Sequence, residues 1–531
     1  MAPRSISLIL LLTAVHHVYG RIIKPPGIPM VDIESDYVHH ALKARALPPY
    51  NTTYYFDQLI DHNDPSKGTF QQRYWHTAEH YQKGGPIIFM NAGEVNAAPY
   101  YGYVTNSTIN GVIAQKYGGA AIVLEHRFFG ESNPYPNLNV TSFQYHTIAQ
   151  AIEDNVYFAK NVVLPQDNGD RVGPDKAPWI IIGGSYPGAL VSWTMAAHPD
   201  VFWIGYSSSG VVHVQIDFWQ YYEPIRESMP KNCSADVEAV ITYVDEVFFG
   251  SNTTAEQELQ ELFGFSTGLE VAQALRWDLW TWQDMQPNTG TGAAFYQFCD
   301  ALEVKGDVVA STEGWGLDNA LKAWGSHFTG TASISSEKLD CGENASGCIN
   351  SVIRTPPSPA GIPLNRENLH PRELNTRDDY PVDDAYRSWF WLVCNEIGFT
   401  LDGPPVGQRG IVSRLNVWED NMRDCVTTYP EAFSDYPTPN VNRTNTLYGG
   451  WGVNNTRLFF ANGKRDPWRE ATVSAVNSTA VSTDVQPIRI SSGFHASDLV
   501  MRLAAPDPTI VAVQDAFIAY VESWLKDFVP S

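Results

Sequence analysis

The chain has 531 residues, of which 44% are hydrophobic and 12% aromatic, so it can bury a large core and is not disordered over most of its length. Its formal net charge of −23 argues against a nucleic-acid partner, because phosphate binding requires a basic surface. A chain of this length suits one large domain with a substantial insertion, or two domains.

The first twenty residues have the pattern of a secretory signal. A basic start at Arg4 is followed by an apolar run from Ile6 to Val15 and then by Gly20, after which we place the cleavage. The apolar run is too short to cross a bilayer, and no later stretch reaches the roughly 20 apolar residues of a membrane helix. Residues 21–50 are rich in Pro, and we interpret them as an extended lead-in or pro-segment.

Residues 51–210 are assigned to the first part of an α/β domain. Their strands are short and continuously apolar, which indicates a parallel sheet covered on both faces. Helix-length segments separate most of these strands. The predicted strands are 87–90, 121–124, 179–182 and 202–206, and the predicted helices are 147–163 and 189–198.

Residues 211–440 are interpreted as a mainly helical cap domain. They contain amphipathic stretches at 237–247 and 269–284 and a Pro-rich run at 356–363, typical of a long loop. They also contain all the cysteines, an even set that forms disulfides in an oxidising compartment. The spacing leaves the pairing open, and we predict the local pairs Cys233–Cys299, Cys341–Cys348 and Cys394–Cys425.

The sheet resumes in residues 441–531, which we assign to the second part of the α/β domain. Two strand candidates, 457–461 and 486–490, precede a run of apolar residues at helical spacing between 510 and 525. The cap is therefore an insertion within one sheet.

Ser185 is predicted to be a nucleophile at a strand-to-helix turn. The strand ends at Ile182, and Gly183, Gly184 and Gly188 surround the serine, because bulky neighbours would clash in such a strained turn. A strict G-x-S-x-G motif would have Gly at 187, where this chain has Pro, which is acceptable in the first turn of a helix.

A serine hydroxyl needs a base to take its proton and an acid to orient that base. Asp466 follows the strand 457–461, and His495 follows the strand 486–490. The order Ser185, Asp466, His495 is that of α/β-hydrolases, each residue lying just past a strand end. The predicted fold is thus an α/β-hydrolase sheet interrupted by a mainly helical, disulfide-bearing cap domain.

Rival residues exist for both partners of the serine. Asp484 and Asp498 are alternatives for the acid, although Asp498 can instead cap the next helix. His126 and His198 are alternatives for the base, but His126 lies in the wrong half of the sheet for the expected chain order.

Two backbone donors are predicted to form an oxyanion hole. One is the N–H of Tyr186, the residue after the serine, and the other comes from the loop at 91–94, where Gly93 permits close approach. We expect no cofactor and no metal site, because the usual metal and phosphate motifs are missing from the sequence.

Nine Asn-x-Ser/Thr sites are typical of a glycosylated exported protein. They are Asn51, Asn106, Asn139, Asn232, Asn252, Asn344, Asn442, Asn454 and Asn477.

Several runs together resemble the serine peptidase family that contains lysosomal Pro-X carboxypeptidase, dipeptidyl peptidase II and secreted acid prolyl endopeptidases. The resemblance covers nearly the whole chain after residue 55, in the expected order. The runs are 56–62 with 70–74, Glu-His-Arg-Phe-Phe-Gly-Glu-Ser at 125–132, the serine turn at 183–188, 462–468 and 493–495.

The resemblance implies hydrolysis of peptide bonds on the carboxyl side of proline in proline-containing peptides or proteins. It places Trp468 in a flat apolar pocket for the proline ring, and we add Glu94 to the substrate-binding residues. Secretion, or a lysosome- or vacuole-like acidic compartment, is expected. The alternatives are an esterase or lipase and a catalytically silent binding protein. The sequence leaves open whether the enzyme cleaves internally, at the amino end or at the carboxyl end of the peptide, and whether it forms a homodimer.

Overall fold

The computed structural model describes residues 27–31, 33, 47–335, 380 and 382–531. The predicted signal at 1–20, the Cys341–Cys348 pair, the site at Asn344 and the Pro-rich run at 356–363 lie outside the described residues.

The centre of the structure is an eight-stranded sheet in the order β1-β2-β4-β3-β5-β6-β11-β12. The pairs β1–β2 and β2–β4 are antiparallel, and every other pair in the sheet is parallel. Together with the helices that cover it, this sheet is an α/β-hydrolase fold, as predicted. The strands are β1 Thr53–Leu59, β2 Thr69–Thr77, β3 Ile87–Asn91, β4 Ala120–Leu124, β5 Trp179–Gly184, β6 Ile204–Ser208, β7 Gln215–Asp217, β8 Val304–Lys305, β9 Val308–Val309, β10 Gly398–Thr400, β11 Leu458–Gly463 and β12 Ile488–Ser491.

The central parallel strands β3, β4 and β5 are largely apolar and buried at every position because both faces of the sheet are covered there. Ile181 and Phe89 point into the core on one face, and Ile180, Ile182 and Met90 point into the core on the other. This alternation follows from the two-residue period of a strand. The sheet therefore positions loops at its edge with little freedom.

Helices of the cap lie in the chain between β6 and β11, and their apolar residues extend the first of these two cores. The predicted disulfides Cys233–Cys299 and Cys394–Cys425 are both present. Within the described residues the α-helices are Ile109–Tyr117, Ile148–Asn161, Tyr186–Ala197, Glu223–Ser228, Lys231–Phe248, Thr253–Phe263, Gly268–Ala274, Trp277–Trp280, Ala294–Glu303, Leu317–Ser335, Ala385–Leu392, Trp418–Thr428, Val441–Tyr448, Met501–Ala504 and Pro508–Leu525, and a π-helix covers Val393–Ile397.

Two parts of the sequence reading differ from the structure. The hairpin of β1 and β2 was not predicted as strands. The amphipathic stretch 269–284 is broken into two short helices and a 3₁₀ turn, Thr281–Asp284, because the chain turns at Arg276. The buried guanidinium of Arg276 donates to the carbonyl of Leu401 at 2.8 Å, which holds this break in place.

Candidate functional site

Ser185 lies between β5 and the helix Tyr186–Ala197 in a backbone conformation that side chains rarely adopt. Its φ is 64° and its ψ is −129°. Such strain persists only where the surroundings fix it. The Ser185 N–H donates to Ser208 of β6 at 2.9 Å, and the Ser185 carbonyl accepts from Ala189 at 3.0 Å. The neighbouring strand and the helix therefore hold the serine in this turn.

The glycines around Ser185 are required by close packing. A Cβ built on Gly183 would lie 2.3 Å from the carbonyl oxygen of Pro187, and one on Gly184 would lie 2.6 Å from Leu499. Pro187 itself packs against Gly93, where a Cβ would lie 2.2 Å from the proline ring. The departure from a strict G-x-S-x-G motif is thus accommodated by a glycine on the adjacent loop.

Asp466 and His495 lie in the loops that follow β11 and β12. Because these strands are parallel neighbours, their carboxyl ends meet at the edge where β5 also ends. His495 Nδ1 and Asp466 Oδ1 are 2.8 Å apart, and both side chains are at most 1% exposed. The same Asp466 oxygen accepts the Trp468 N–H at 2.9 Å, which fixes the carboxylate in the loop.

The turn that carries His495 is also strained. Ala496 has a φ of 50°, and its N–H donates to the Ser209 hydroxyl at 3.0 Å. Ser209, with a φ of 47°, directly follows β6. The end of β6 thus holds the loop that carries His495.

The hydroxyl of Ser185 and Nε2 of His495 are both buried, and neither has a hydrogen-bond partner among the described residues. A hydrogen bond therefore joins His495 to Asp466, and none joins His495 to Ser185. Hydrogen bonds of this kind are often long in a substrate-free site and tighten when substrate is bound.

The rival residues have other partners. His126 lies between the Arg127 carbonyl, 2.7 Å from its Nδ1, and the Tyr186 hydroxyl, 3.1 Å from its Nε2. Burial lowers the pKa of His126 to about 4, so its ring is neutral at neutral pH. His198 Nε2 pairs with Glu153 at 2.6 Å near the surface.

The rival acids are also engaged elsewhere or exposed. Asp498 accepts from the Tyr206 hydroxyl at 2.5 Å and from Ser208 at 2.8 Å, and burial raises its pKa to about 6. Asp484 is exposed on the surface. No hydrogen bond of the described residues joins either carboxylate to His495 or Ser185.

The two predicted oxyanion donors lie near Ser185, since Tyr186 follows it in the chain and Gly93 packs against Pro187. Tyr186 is the first residue of its helix, where N–H groups lack acceptors within the helix. Gly93 has a φ of 76°, and its N–H donates to Asn91 Oδ1 at 2.9 Å. In this conformation the Gly93 N–H is therefore already paired within its own loop.

Glu94 is 2% exposed, and neither of its carboxyl oxygens has a hydrogen-bond partner among the described residues. Burial raises the pKa of Glu94 well above its ordinary value of 4.5. Burial therefore favours the protonated, neutral form of this side chain.

Trp468 is fully buried two residues after Asp466. Its ring packs against Phe218, Tyr221 and Phe399, with ring centroids 5.2 to 5.5 Å apart, and lies 6.4 Å from the His495 ring. An apolar, aromatic wall thus adjoins the Asp466–His495 pair.

Sequence reasoning missed the ion pair of Arg73 and Glu125. Arg73 Nε lies 2.9 Å from Glu125 Oε1, and Glu125 Oε2 accepts the N–H of Ala97 at 2.9 Å. The pair therefore holds the far end of the loop that carries Gly93 and Glu94. The sequence signals were the runs at 70–74 and 125–132, and neither run indicates a partner for its charged residue.

Nearly all the predicted glycosylation sites that the structure describes are accessible. Asn139 and Asn232 are half-buried, and the others are exposed: Asn51, Asn106, Asn252, Asn442, Asn454 and Asn477.

Two kinds of feature are absent from the described ranges. In residues 47–335 and 382–531, no helix is long and apolar enough to cross a membrane. In the same part of the chain, no group of three His, Cys, Asp or Glu side chains is placed to hold a metal ion.

A family model described as Serine carboxypeptidase S28 matches residues 58–289 and 367–517. The chain is 33% identical over 513 residues to "Serine protease vicPa" of Bipolaris victoriae, covering 92% of each. It is 30% identical over 482 residues to "Probable extracellular serine carboxypeptidase" of Arthroderma benhamiae, covering 86% of this chain and 64% of that one. A solved arylesterase structure aligns to 35% of this chain and 55% of its own, at 12% identity and a TM-score of 0.21.

Proposed function

This chain belongs to the family described as Serine carboxypeptidase S28, and on that premise we propose a secreted serine peptidase that cleaves on the carboxyl side of proline. The proposed triad is Ser185, Asp466 and His495. The observation that carries the proposal is the buried 2.8 Å contact of His495 Nδ1 with Asp466, at the sheet edge where the strained Ser185 turn also lies.

The proposed reaction begins with attack of Ser185 Oγ on the carbonyl carbon of the scissile bond. His495 Nε2 accepts the hydroxyl proton, and Asp466 stabilises the resulting imidazolium through its bond to Nδ1. The intermediate collapses, His495 returns the proton to the leaving amine, and an acyl-enzyme remains. A water molecule, activated by His495 in the same way, releases the acid and restores Ser185.

We propose that Tyr186 N–H and the Gly93 loop stabilise the negative oxygen of the intermediate. Since the Gly93 N–H is paired with Asn91 at 2.9 Å, this role requires the donor to exchange that partner for the oxyanion. Oxyanion donors of this kind are worth about 2.7–4 kcal/mol in the transition state.

For the substrate we propose an apolar proline pocket bordered by Trp468 and Glu94. A proline ring carries no charge and no N–H, so an aromatic wall and a neutral acid suit it better than an ionised carboxylate does. Trp468 supplies the wall, and burial keeps Glu94 protonated by raising its pKa.

We further propose that the enzyme acts outside the cell or in an acidic compartment, after removal of the signal at 1–20. We also propose that residues 211–440 form a cap that is a separate unit of the domain. The exposed glycosylation sites, the two disulfides and the extracellular relative support secretion. Its substrates would be proline-containing peptides or proteins, and the proposed reaction needs no cofactor.

The test compares wild type with Ser185→Ala on a proline anilide, a fatty ester and a serine-directed phosphonate. We expect turnover of the anilide and labelling by the phosphonate in wild type, and loss of both in the variant at normal secretion. Preference for the ester would favour an esterase or lipase, and no labelling of wild type would favour a silent binding protein. Mass-spectrometric mapping of products from one long proline-containing peptide then distinguishes internal from terminal cleavage.

A further inference from the structure

One short cap segment, residues 282–286, contacts both loops that carry the proposed acid and base. Trp282 Nε1 donates to the carbonyl of Arg465, directly before Asp466, at 2.7 Å. Gln283 Oε1 accepts from Trp468 Nε1 at 2.9 Å, on the other side of Asp466. The acid loop is therefore bound to the cap on both sides of its carboxylate.

The same segment holds the base loop through Gln286. Its Nε2 donates to the carbonyl oxygen of His495 at 3.0 Å, and its Oε1 accepts from the Ser497 hydroxyl at 2.8 Å. Ser497 Oγ in turn accepts the N–H of Phe494 at 3.0 Å. One carboxamide thus uses both its donor and its acceptor to fix the turn that holds the imidazole.

Gln286 is itself held in place by its own turn. Its N–H donates to Thr289 Oγ1 at 2.7 Å, and its carbonyl accepts the N–H of Thr289 at 2.8 Å. A side chain on a fixed backbone can position a partner because little conformational freedom remains.

We infer that Gln286 is a positioning residue for the proposed base, through which the cap sets the orientation of His495. The inference rests on the proposed function. Ala496 is strained at a φ of 50° and is held from the sheet by Ser209, so the Gln286 bonds supply the opposing restraint from the cap. Without these bonds the turn loses one of its restraints, and the orientation of the imidazole is less firmly fixed.

The first test replaces Gln286 with Met, which keeps the length of the side chain and removes both hydrogen bonds. On a small proline anilide we expect kcat to fall by about 10- to 100-fold, the scale of a misplaced catalytic group, with KM within about twofold. The matched control is Gln297→Met, since Gln297 is an exposed cap glutamine that bonds only the Gly292 carbonyl, at 3.0 Å. The control should match wild type.

A second variant, Gln286→Glu, separates positioning from folding. When protonated, the introduced carboxylic acid can donate to the His495 carbonyl and accept from Ser497, as the amide does. When ionised, it only accepts and repels that carbonyl. We therefore expect the ratio of variant to wild-type kcat/KM to be near one at low pH and to fall as pH rises through the pKa of the introduced group, ordinarily about 4.3.

In the ratio of variant to wild-type kcat/KM, the effects of all titrations that the two proteins share cancel. A merely structural defect would therefore lower this ratio equally at all pH values. A pH-independent ratio for Gln286→Glu, or a wild-type kcat for Gln286→Met, overturns the inference. The variants His495→Ala and Ser185→Ala are measured in the same assay as controls for the proposed function. If these retain turnover, the proposed function fails; if they are inactive while the Gln286 variants match wild type, only the positioning role fails.

Discussion

Replacing Glu94 with Gln should change how the stability of the protein depends on pH. In the folded protein the pKa of Glu94 lies well above its ordinary value of 4.5, because the carboxyl group is buried and has no partner among the described residues. Above pH 4.5 the unfolded chain therefore loses a proton that the folded chain keeps. The free energy of unfolding then falls as pH rises from the ordinary pKa towards the raised one.

The magnitude follows from the linkage between protonation and folding. Each pH unit inside that window costs about 1.4 kcal/mol, so Glu94 lowers stability by up to about 2.5 kcal/mol between pH 5 and pH 7. Glutamine has the same shape and does not ionise. The free energy of unfolding of the variant, relative to that of wild type, should therefore rise by up to about 2.5 kcal/mol between pH 5 and pH 7.

The measurement is urea denaturation at several pH values, followed by tryptophan fluorescence. Taking the difference between variant and wild type removes the contributions of the other buried acids, such as Glu396 and Asp402, whose pKa values are each raised to about 7 by burial. Glu258→Gln, at an exposed helical position, is the matched control and should show no such difference. A difference that does not change with pH would mean that Glu94 is ionised in the folded protein, and the reasoning would be refuted.

Three further predictions concern the serine turn and the choice of acid. Asp466→Asn should lower kcat by about 10³- to 10⁴-fold in a proline anilide assay, as expected for loss of a triad acid, whereas Asp498→Asn should stay within about threefold; the reverse ranking would make Asp498 the acid. The gain in free energy of unfolding of Asp498→Asn over wild type should also be larger at pH 7 than at pH 4. Burial raises the pKa of Asp498 to about 6 in the folded state, so its carboxyl group lowers stability at pH values above its ordinary pKa. Equal differences at both pH values would contradict this. Gly183→Ala should abolish secretion or activity, since its Cβ would lie 2.3 Å from the carbonyl of Pro187, while Gly452→Ala, with open space around it, should secrete as wild type does.

The parallel strands could be predicted from the sequence because burial on both faces leaves a direct trace, an unbroken apolar run such as Ile180 to Ile182. The β1–β2 hairpin leaves no such trace. Two of its buried residues, Gln58 and Gln72, are polar, and their side-chain N–H groups donate to partners far along the chain: Gln58 to Gln72 at 2.8 Å and to the carbonyl of Asp154, and Gln72 to the carbonyl of Glu125. A pattern of neighbouring residues cannot contain partners that are many residues away.

The same limit applies to the site. The order of Ser185, Asp466 and His495 along the chain could be predicted because each follows a strand, and strand ends are local features. The contacts of Gln286 depend on the cap folding back onto the sheet, and nothing in the sequence around a glutamine in an insertion separates it from exposed ones such as Gln297.

Access to the site and its assembly are opposed in this structure. Ser185 and Asp466 are 0% exposed and His495 is 1% exposed, so a peptide carbonyl can reach the serine hydroxyl only after surrounding atoms move. The sheet side of the site is strained and firmly bonded at Ser185 and Ala496, and such conformations persist only when they are over-determined. The cap side is joined to the base loop by the two hydrogen bonds of Gln286. If this part of the cap moved away from the sheet to admit substrate, the bonds of Gln286 to His495 and Ser497 would break, so the contacts that we propose orient His495 also oppose opening of the site.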